Sequence, residues 1–501
     1  MRPAVLASYR WRIFLIAWLL YSAHFATNVV REHYPAFSLA EHGTFRVDEY
    51  EGFHSDIFVH RDGHAVIGNQ VLVSTLAAIP LFVFDPVLDA IEARSKARIA
   101  AQGLPDGEYR AGPDKPLSIA FFRRVSQLGL AERFGAATFV TTAFFMAPLS
   151  ALFLVFFFSV LRERGVEPRL AAGMALLLGF GTPIFFRTST LNHNLFVMYA
   201  MFAAFVLLWR RHDAPGGLPL RDRLLAGLFG GIVLATDYIG VVILPLLYGY
   251  MLLPRVAAAG WRTSVRESMA LVVGSLPPIL FLLYSQWAMY GNPFLPGQYW
   301  MPDQNIYTDD GLRGFTLPAP DLFLQNLFDP AFGLYTWGPL LLLALVPATR
   351  YARESLILPR RERWFVIAAF AVVLLFCSAN QYSRLQWNSG FRYLIPLVPF
   401  LFLALSDHWV RLPRWGRVAI AVPVVMHSWV LTVFRSPVPE SWAAFLNEGP
   451  QLPWFRVLRM TSPPENVWLN NWWLPALLLG VALVASRQVW QQRLGPRTAE
   501  G

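Results

Sequence analysis

The chain has 501 residues, 55% of them hydrophobic and only 15% charged, with a formal net charge of +10 and a single cysteine. Its apolar residues come in long runs, several close to the roughly eighteen residues that a helix needs to cross a bilayer. These features exclude an ordinary soluble domain, an intramolecular disulfide and a zinc site of several thiolates. Because the runs are continuous rather than alternating, they favour helices over a transmembrane barrel.

The apolar runs predict an all-α polytopic membrane protein with about 12 transmembrane helices, residues 1–501 forming a single integral membrane domain. The run 224–254 is long and contains Asp237, so two short helices meeting at "ATDY" are predicted there. The segments that approach a span are 13–30, 137–161, 193–209, 224–254, 268–288, 335–347, 365–378, 393–406, 416–434 and 472–486.

The arginines set the predicted orientation of the chain. They concentrate in alternate links between apolar runs, as in "RERGVEPR" at 162–169, and the opposite links hold few. This positive-inside pattern predicts that both termini are cytoplasmic, and it accounts for the basic charge through topology rather than through a nucleic-acid partner. Residues 31–135, 289–333 and 435–470 are then predicted to be external.

The first external segment is expected to carry short helices at the membrane surface. The apolar stretch 71–84 is short and contains Pro80, which suits an interfacial or re-entrant helix better than a span. Residues 35–43 predict another short helix, with Pro35 in its first turn and Gly43 beyond its end.

Four polar stretches are predicted to open on the same external face. They are "NVVREHY" with the acidic run at 45–58, "RTSTLNHN" at 187–194, Asp237 with Tyr238, and "QYSRLQWNSGFRYLIP" at 381–396. A carboxylate inside an apolar run costs about 2.5–3.5 kcal/mol on insertion scales, so Asp237 is expected to be paired or functional. The candidate substrate-binding residues are Arg31, His193, Asp237, Tyr238, Arg384 and Arg392.

These groups suit transfer of a chemical group from a lipid phosphate. The planar fork of arginine binds phosphate through paired hydrogen bonds, and a carboxylate can accept the proton of an attacking hydroxyl. Simpler explanations stay open for each group. Acids in an external loop are often only solvated, His193 can cap a helix, and Arg392 can anchor its helix at the membrane surface.

Five stretches, in chain order, resemble motifs of the GT-C glycosyltransferases, polytopic enzymes that take a sugar from a polyprenyl-phosphate carrier. They are "REHYPAFSLAEHGTFRVDEY", "GFGTPIFFRTSTLNHNL", "AGLFGGIVLATDYIGVVIL", "LFDPAFGLYTWGPLLLLAL" and "WNSGFRYLIPLVPF". The first resembles the start of the first external loop of these enzymes, and the second resembles their "GTP…STTLFSH" link. The resemblance covers most of the chain and implies a GT-C-like fold with a long first external loop that carries juxtamembrane helices.

The resemblance also implies an activity. It would be transfer of a hexose or pentose, with inversion, from a polyprenyl-phosphate-linked donor to an acceptor hydroxyl on the external face of the bacterial inner membrane. The acceptor (glycan, lipid or protein) stays open, and a divalent metal is compatible with the carboxylates but not required. Related branches carry an Asp-Glu pair where this chain has Asn28 and Val29. The general base is therefore sought first at Asp48, then at Glu32, with Glu49 as a further candidate.

Two other classes of function stay open. A chain with about twelve crossings and both termini inside would also suit a lipid or sugar transporter or a flippase. Its two halves look unlike each other, however, and its polar groups gather on one predicted face. The missing Asp-Glu pair leaves room for an inactive GT-C relative that acts as an assembly partner.

The predicted orientation can be tested by labelling. We expect single cysteines at positions 106 and 310 to react with a membrane-impermeant thiol reagent in intact cells, and a cysteine at 358 to stay unlabelled. The reason is the arginine asymmetry between alternate links. Labelling at 358 alone would reverse the orientation and move every candidate residue to the other side of the membrane.

Overall fold

The computed structural model describes residues 3–103, 116–210, 218–302, 310–346, 356–461, 469, 471 and 473–491. Within these ranges most residues are helical and the sheet is limited to one two-stranded hairpin, so the prediction of an all-α protein is confirmed in its main feature. Position 106, the predicted external labelling site, lies outside the described residues. So do the two ends of the chain, which were predicted to be cytoplasmic.

The helices α1 to α21 are, in chain order, Pro3–Ala23, His33–His42, Leu72–Gln102, Pro116–Gln127, Ala131–Thr141, Ala147–Glu163, Pro168–Phe180, Ile184–Thr188, Asn194–Arg210, Leu220–Thr236, Gly240–Ala259, Trp261–Tyr290, Gly297–Trp300, Pro320–Phe328, Leu334–Trp337, Arg360–Ala379, Val398–Trp409, Arg414–Phe434, Val438–Glu448, Pro453–Thr461 and Trp473–Gln491. Short 3-10 segments cover Asp48–Tyr50, Pro339–Leu345, Gln381–Asn388 and Ile395–Leu397, and a π-turn at Thr142–Met146 joins α5 to α6. The strands β1, Ile57–Val59, and β2, Ala65–Ile67, pair antiparallel with Phe58 opposite Val66.

Six helical stretches of the described chain are long and apolar enough to cross a membrane: Leu72–Gln102, Ala131–Glu163, Trp261–Tyr290, Arg360–Ala379, Arg414–Phe434 and Trp473–Gln491. Shorter apolar helices cover Pro168–Phe180, Asn194–Arg210, Gly240–Pro254 and Ile395–Trp409. Long helices of this composition are typical of a protein embedded in a membrane. The predicted number of about twelve crossings is not confirmed by them.

Helix α3 differs from its prediction. A short helix was expected over 71–84, but the helix runs from Leu72 to Gln102. The charged second half of α3 lies against the start of α5, and ion pairs with α5 stabilise this half as a helix. There the Arg133 Nη1 atom is 2.6 Å from Asp89 Oδ1 and 2.8 Å from Glu92 Oε2. An apolar run alone does not mark where such an ion-paired extension ends.

The helix α2 and the break after α10 agree with their predictions. Helix α2 ends at His42, where Gly43 takes the left-handed conformation (φ +65°) that favours glycine. The run 224–254 divides at Asp237, whose backbone is extended between α10 and α11. A Cβ on Gly240 would lie 2.4 Å from Leu234 Cα, so glycine lets α11 begin close beside the end of α10.

Glycines also bring α10 and α12 together along their length. A Cβ on Gly227 would lie 2.1 Å from the carbonyl oxygen of Leu271, and one on Gly274 would lie 2.1 Å from that of Leu224. Small residues allow helix backbones to approach this closely, as is common between helices in membranes. The two helices therefore form a rigid pair that holds Asp237 at one end.

The labelling prediction needs one adjustment. Leu358 is fully buried, so a cysteine there would stay unlabelled on either side of the membrane. Arg360, two residues later, is exposed and is the better cytoplasmic reporter. Asp310 is exposed and suits its purpose as the external reporter.

The close packing of α10 on α12 predicts a large effect of a single methyl group. We expect Gly227→Ala to destabilise the protein by about 1–3 kcal/mol, because the methyl group would overlap the Leu271 carbonyl. The measurement is thermal unfolding in detergent. Gly249→Ala on α11 is the matched control, since a Cβ there meets nothing within 4 Å. Equal melting temperatures for the two variants would contradict this packing.

Candidate active site

Four segments of the chain meet at the ends of helices. Arg31 and Glu32 directly precede α2, and Asp56 precedes β1. His193 directly precedes α9, and Asp237 lies in the break between α10 and α11. A side chain at a helix end is held by a rigid element but is not covered by that helix, so these groups can face one another.

The imidazole of His193 lies between two carboxylates. Its Nδ1 atom is 2.5 Å from Glu32 Oε1, and its Nε2 atom is 3.1 Å from Asp237 Oδ2. The side-chain Nδ2 atom of Asn194 also lies 3.1 Å from Nε2 of His193. His193 and Glu32 are both buried, and the backbone N–H of Ile239 donates to Asp237 Oδ1. The arrangement allows a proton to be held or passed between two acids.

Arg31 joins a third acid to this group. Its Nη1 atom donates to Asp56 Oδ2 at 2.9 Å, and its Nε atom lies 3.4 Å from Glu32 Oε1. The backbone N–H of Asp56 donates to Nδ1 of His54. Glu32, Asp56, His193 and Asp237 are called the carboxylate cluster below. The side chain of Glu32 is only 5% exposed, whereas those of Asp56 and Asp237 are 20% and 17% exposed.

The charges of the carboxylate cluster stabilise its ionised acids. Burial would raise the pKa of Glu32, but the hydrogen bond from His193 and the charge of Arg31 lower that pKa well below its usual range. The pKa of Asp56 is lowered as well, because the charges of His54, Arg31 and Arg392 outweigh its burial. Both acids are therefore ionised at neutral pH.

A second group consists of three arginines: Arg187, Arg392 and Arg435, called the arginine cluster below. The guanidinium carbons of Arg187 and Arg435 lie 5.8 and 4.1 Å from the ring centre of Phe186. Arg187 donates to Asn194 Oδ1 at 3.2 Å, so Asn194 connects the two clusters. Arg187 thus meets His193 of the carboxylate cluster through the neutral side chain of Asn194.

Arg392 is held by its backbone. The buried side chain of Gln386 accepts hydrogen bonds from the backbone N–H groups of Arg392 (3.1 Å) and Tyr393 (3.0 Å). Gly390 takes a left-handed conformation (φ +72°), and a Cβ there would lie 2.7 Å from Phe186 Cζ. Glycine at 390 therefore lets this loop pack directly on the ring that carries the other two arginines.

No arginine of this cluster forms an ion pair with a carboxylate in the described part of the chain. Arg187 donates to the backbone oxygen of Ser389 and to Asn194, Arg435 donates to Ser189, and the Arg392 guanidinium lies 4.6 Å from the Tyr393 ring. Burial, together with the charges of Arg435 and Arg392, lowers the pKa of Arg187 to about 9. Buried charges of one sign repel one another, so this group of arginines suits an anion.

Two sequence-predicted acids lie apart from these contacts. The 3-10 turn puts Asp48 beside β2, where the backbone N–H of Ala65 donates to Oδ1 at 2.5 Å and His64 Nδ1 is 3.0 Å from Oδ2. Glu49 is exposed and lies 3.2 Å from His42. Asp48 thus ties the turn to the hairpin. Its predicted role as a general base, and that of Glu49, are untested by this arrangement and stay predictions.

The predicted binding residues divide in the same way. His193 and Asp237 belong to the carboxylate cluster, Arg392 belongs to the arginine cluster, and Arg31 is paired with two acids of the carboxylate cluster. Arg384 instead contacts α14, with its Nη1 atom 2.7 Å from Asp321 Oδ2. Tyr238 follows Asp237 and accepts a hydrogen bond from Gln286 Nε2 at 3.3 Å. It therefore supports the break in the helix from the side of α12.

Several residues of the clusters were not singled out from the sequence. Asp56 stood in the acidic run, and Arg187 and Asn194 stood inside "RTSTLNHN", so a sequence signal was present for these three. Gln386 stood inside the polar stretch 381–396, but its role was not predicted, because an amide that holds a backbone has no sequence signature. Arg435 ends an apolar run, where arginine is an ordinary membrane anchor.

The described residues with the spacing of a metal site are Glu41, His42 and Glu49, whose ligand atoms lie within 4.8 Å of one another. The donor types suit a divalent cation. The carboxylate of Glu41, however, is hydrogen-bonded to Arg133, and the other two side chains are exposed. The group thus fits a metal poorly, and no catalytic step is derived through it.

The two clusters place acids, an imidazole and arginines without acidic partners next to one another at the ends of apolar helices. Comparisons with protein-family models, curated proteins and solved structures find no match to this chain. The resemblance to the GT-C glycosyltransferases stays a prediction that is carried by the sequence motifs. The chemistry of the clusters supplies a separate basis for a functional proposal.

The lowered pKa of Glu32 predicts how stability depends on pH. An acid with a lowered folded-state pKa stabilises the fold above its unfolded pKa, about 4.3, and this contribution is lost as the pH falls below that value. We expect Glu32→Gln to destabilise the protein by about 3 kcal/mol at pH 7, because His193 and Arg31 lose a buried partner. The difference from the wild type should shrink below about pH 4.

The measurement is unfolding in detergent at pH 7 and at pH 3.5. Glu49→Gln, which changes an exposed acid in the same part of the chain, is the control and should leave stability nearly unchanged at both values. A constant difference between wild type and Glu32→Gln across this range would show that Glu32 is not held as a carboxylate.

Proposed function

We propose that the chain is a membrane glycosyltransferase that moves a sugar from a polyprenyl-phosphate carrier to an acceptor hydroxyl. The observation that supports this most is the arginine cluster, with no carboxylate partner among the described residues, directly beside the carboxylate cluster. A phosphate leaving group needs cations, and an attacking hydroxyl needs a proton acceptor. Both are present within one set of helix ends.

The lipid part of the donor follows from the surroundings of the arginines. Arg435 is the residue after α18, a helix long and apolar enough to cross a membrane, and Arg392 precedes the apolar helix 395–409. A cation at such a helix end lies at the depth of lipid headgroups. A phosphate bound there would leave its polyprenyl tail in the hydrocarbon layer.

The proposed reaction is a single in-line displacement at the anomeric carbon, with inversion. The acceptor oxygen forms a bond to that carbon as the bond to the phosphate oxygen breaks, and the electron pair goes to the phosphate. Arg392 and Arg187 stabilise the charge that develops there. The acceptor proton goes to a carboxylate. Asp56 and Asp237 are the more exposed acids of the carboxylate cluster, and Asp48 remains the candidate from the sequence.

The proposed topology has about twelve crossings, with residues 31–135, 289–333 and 435–470 external and the site on the external face of a bacterial inner membrane. It is supported by the two clusters, which join residues from the four polar stretches predicted to open on the external face and Arg435 from the predicted external segment 435–470. The ion pairs of Arg133 with α3 support an interfacial course for the second half of that helix, next to the external start of α5.

A second candidate function, proton-coupled transport of a lipid phosphate, is favoured by one observation. His193 lies between Glu32 and Asp237, and acids flanking a histidine serve as proton relays in many transporters. A transporter would move the intact lipid-linked sugar across the membrane and leave its glycosidic bond unbroken. Purified protein in detergent separates the two, because only a transferase forms product without a membrane.

The proposed phosphate contact predicts that Arg392→Lys folds normally but uses donor lipid poorly. Lysine keeps the charge but cannot form two parallel hydrogen bonds to a phosphate, so the transfer rate at low donor concentration should fall about tenfold or more. Arg392→Ala should be worse. The measurement is sugar transfer by purified protein against the concentration of polyprenyl-linked sugar.

Arg169→Lys, at an exposed position in the link 162–169 that is predicted to be cytoplasmic, is the control and should behave like the wild type. Wild-type kinetics in Arg392→Lys would make Arg392 a membrane anchor. A wild-type protein that transfers no sugar from any polyprenyl-linked donor would refute the transferase function itself.

A further inference from the structure

The arginine cluster has more cationic capacity than one phosphate diester requires. A phosphate that links a sugar to a lipid carries a single negative charge, whereas three buried or half-buried guanidinium groups lie together here without an ion-paired carboxylate among the described residues. The nearby acids do not neutralise this excess of positive charge, because each of them already has another partner. Glu32 and Asp56 are engaged by Arg31, and Asp237 by His193 and a backbone N–H.

The three arginines also lie on two different aromatic rings. Arg187 and Arg435 lie on the ring of Phe186, whereas Arg392 lies on the ring of Tyr393. Arg187 is 7% exposed, and its Nε atom is buried without a hydrogen-bond partner. Arg392 has a buried, unpartnered Nε atom as well. Unsatisfied donors on buried cations are costly, and an anionic oxygen would satisfy them.

The backbone conformation of Arg435 also supports the binding of an anion by this cluster. Arg435 follows α18 in the left-handed conformation, with φ at +53°, which costs free energy for a residue other than glycine. That conformation accompanies the contact of its guanidinium with Ser189 Oγ at 2.6 Å and with the Phe186 ring. A solvent-facing membrane anchor would need neither contact.

We propose that Arg187 and Arg435 form a second anion subsite beside Arg392, so that the carrier lipid is bound through a diphosphate rather than a monophosphate. This rests on the proposed function, whose donor class it narrows. One phosphate of the pair lies against Arg392, and the other lies between the two guanidinium groups at Phe186. Two linked phosphates match two groups of donors better than one phosphate can.

The bond changes balance without any redox step. The acceptor oxygen attacks the anomeric carbon, the bond from that carbon to the proximal phosphate oxygen breaks, and its electron pair stays on the diphosphate. The acceptor proton goes to a carboxylate of the carboxylate cluster. The diphosphate gains one negative charge, and cations that are already in place stabilise that charge as it develops.

The test compares two soluble analogues on purified wild-type protein in detergent: farnesyl phosphate and farnesyl diphosphate, with inorganic pyrophosphate as a third probe. We expect farnesyl diphosphate to bind about tenfold more tightly than farnesyl phosphate or better, since each added charge-assisted contact contributes at least this factor. Equal affinities would overturn the diphosphate assignment. Pyrophosphate binding as tight as that of farnesyl diphosphate would overturn the lipid assignment.

Variants then locate the subsite. Arg435→Gln should remove most of the preference for farnesyl diphosphate while leaving the binding of farnesyl phosphate almost unchanged, and Arg435→Lys should restore part of it. Arg169→Gln removes a charge at an exposed position and should leave the preference intact. A preference that survives in Arg435→Gln would overturn the assignment of this arginine.

Failure of this inference differs from failure of the proposed function. Protein that transfers sugar from a monophosphate-linked donor and shows no preference between the two analogues would refute the diphosphate subsite and leave the transferase function in place. Protein that shows the preference, lost in Arg435→Gln, but transfers no sugar would refute the transferase function and support the subsite.

Discussion

The burial of ionised side chains at the ends of apolar helices is the constraint on which the rest of this structure depends. A lone carboxylate in such a place would be protonated or would unfold its surroundings, because removing it from water costs several kcal/mol. His193 offsets this cost for two acids at once, with Glu32 on one ring nitrogen and Asp237 on the other. The positions of α2, α9 and the α10–α11 break follow from this one shared side chain.

The arginine cluster nevertheless forms no ion pair with a carboxylate in the described part of the chain. Such pairs would neutralise these arginines, and the cluster would then have little affinity for an anion. Asn194 lies between Arg187 and His193, and Gln386 holds Arg392 through backbone atoms that carry no net charge. Neutral amides thus fix charged groups in place without cancelling them. Such a preorganised arrangement suits a reaction that builds up negative charge.

The supporting framework uses small residues where backbones must meet. Gly227 and Gly274 let α10 and α12 pack at backbone distance, and Gly240 and Gly390 let two loops turn against their neighbours. Farther from the clusters, Arg133 ties α2, α3 and α5 into a charged layer through Glu41, Asp89 and Glu92. Rigid packing around a group of buried charges limits the rearrangement that would otherwise relieve their repulsion.

The sequence by itself determined the helical class, the short helix that ends before Gly43, the break at Asp237 and four of the clustered residues: Glu32, His193, Asp237 and Arg392. These follow from local physics, since apolar runs, left-handed glycines and intramembrane acids have the same meaning in any chain. Only the tertiary structure decided that α3 extends to Gln102, that Asp48 ties a turn to the hairpin, and that Arg187 and Arg435 share the ring of Phe186. The reason is that a charge finds its partner through space. Glu32 and His193 are 161 residues apart in the chain, and no local pattern records which distant side chain will neutralise a buried one.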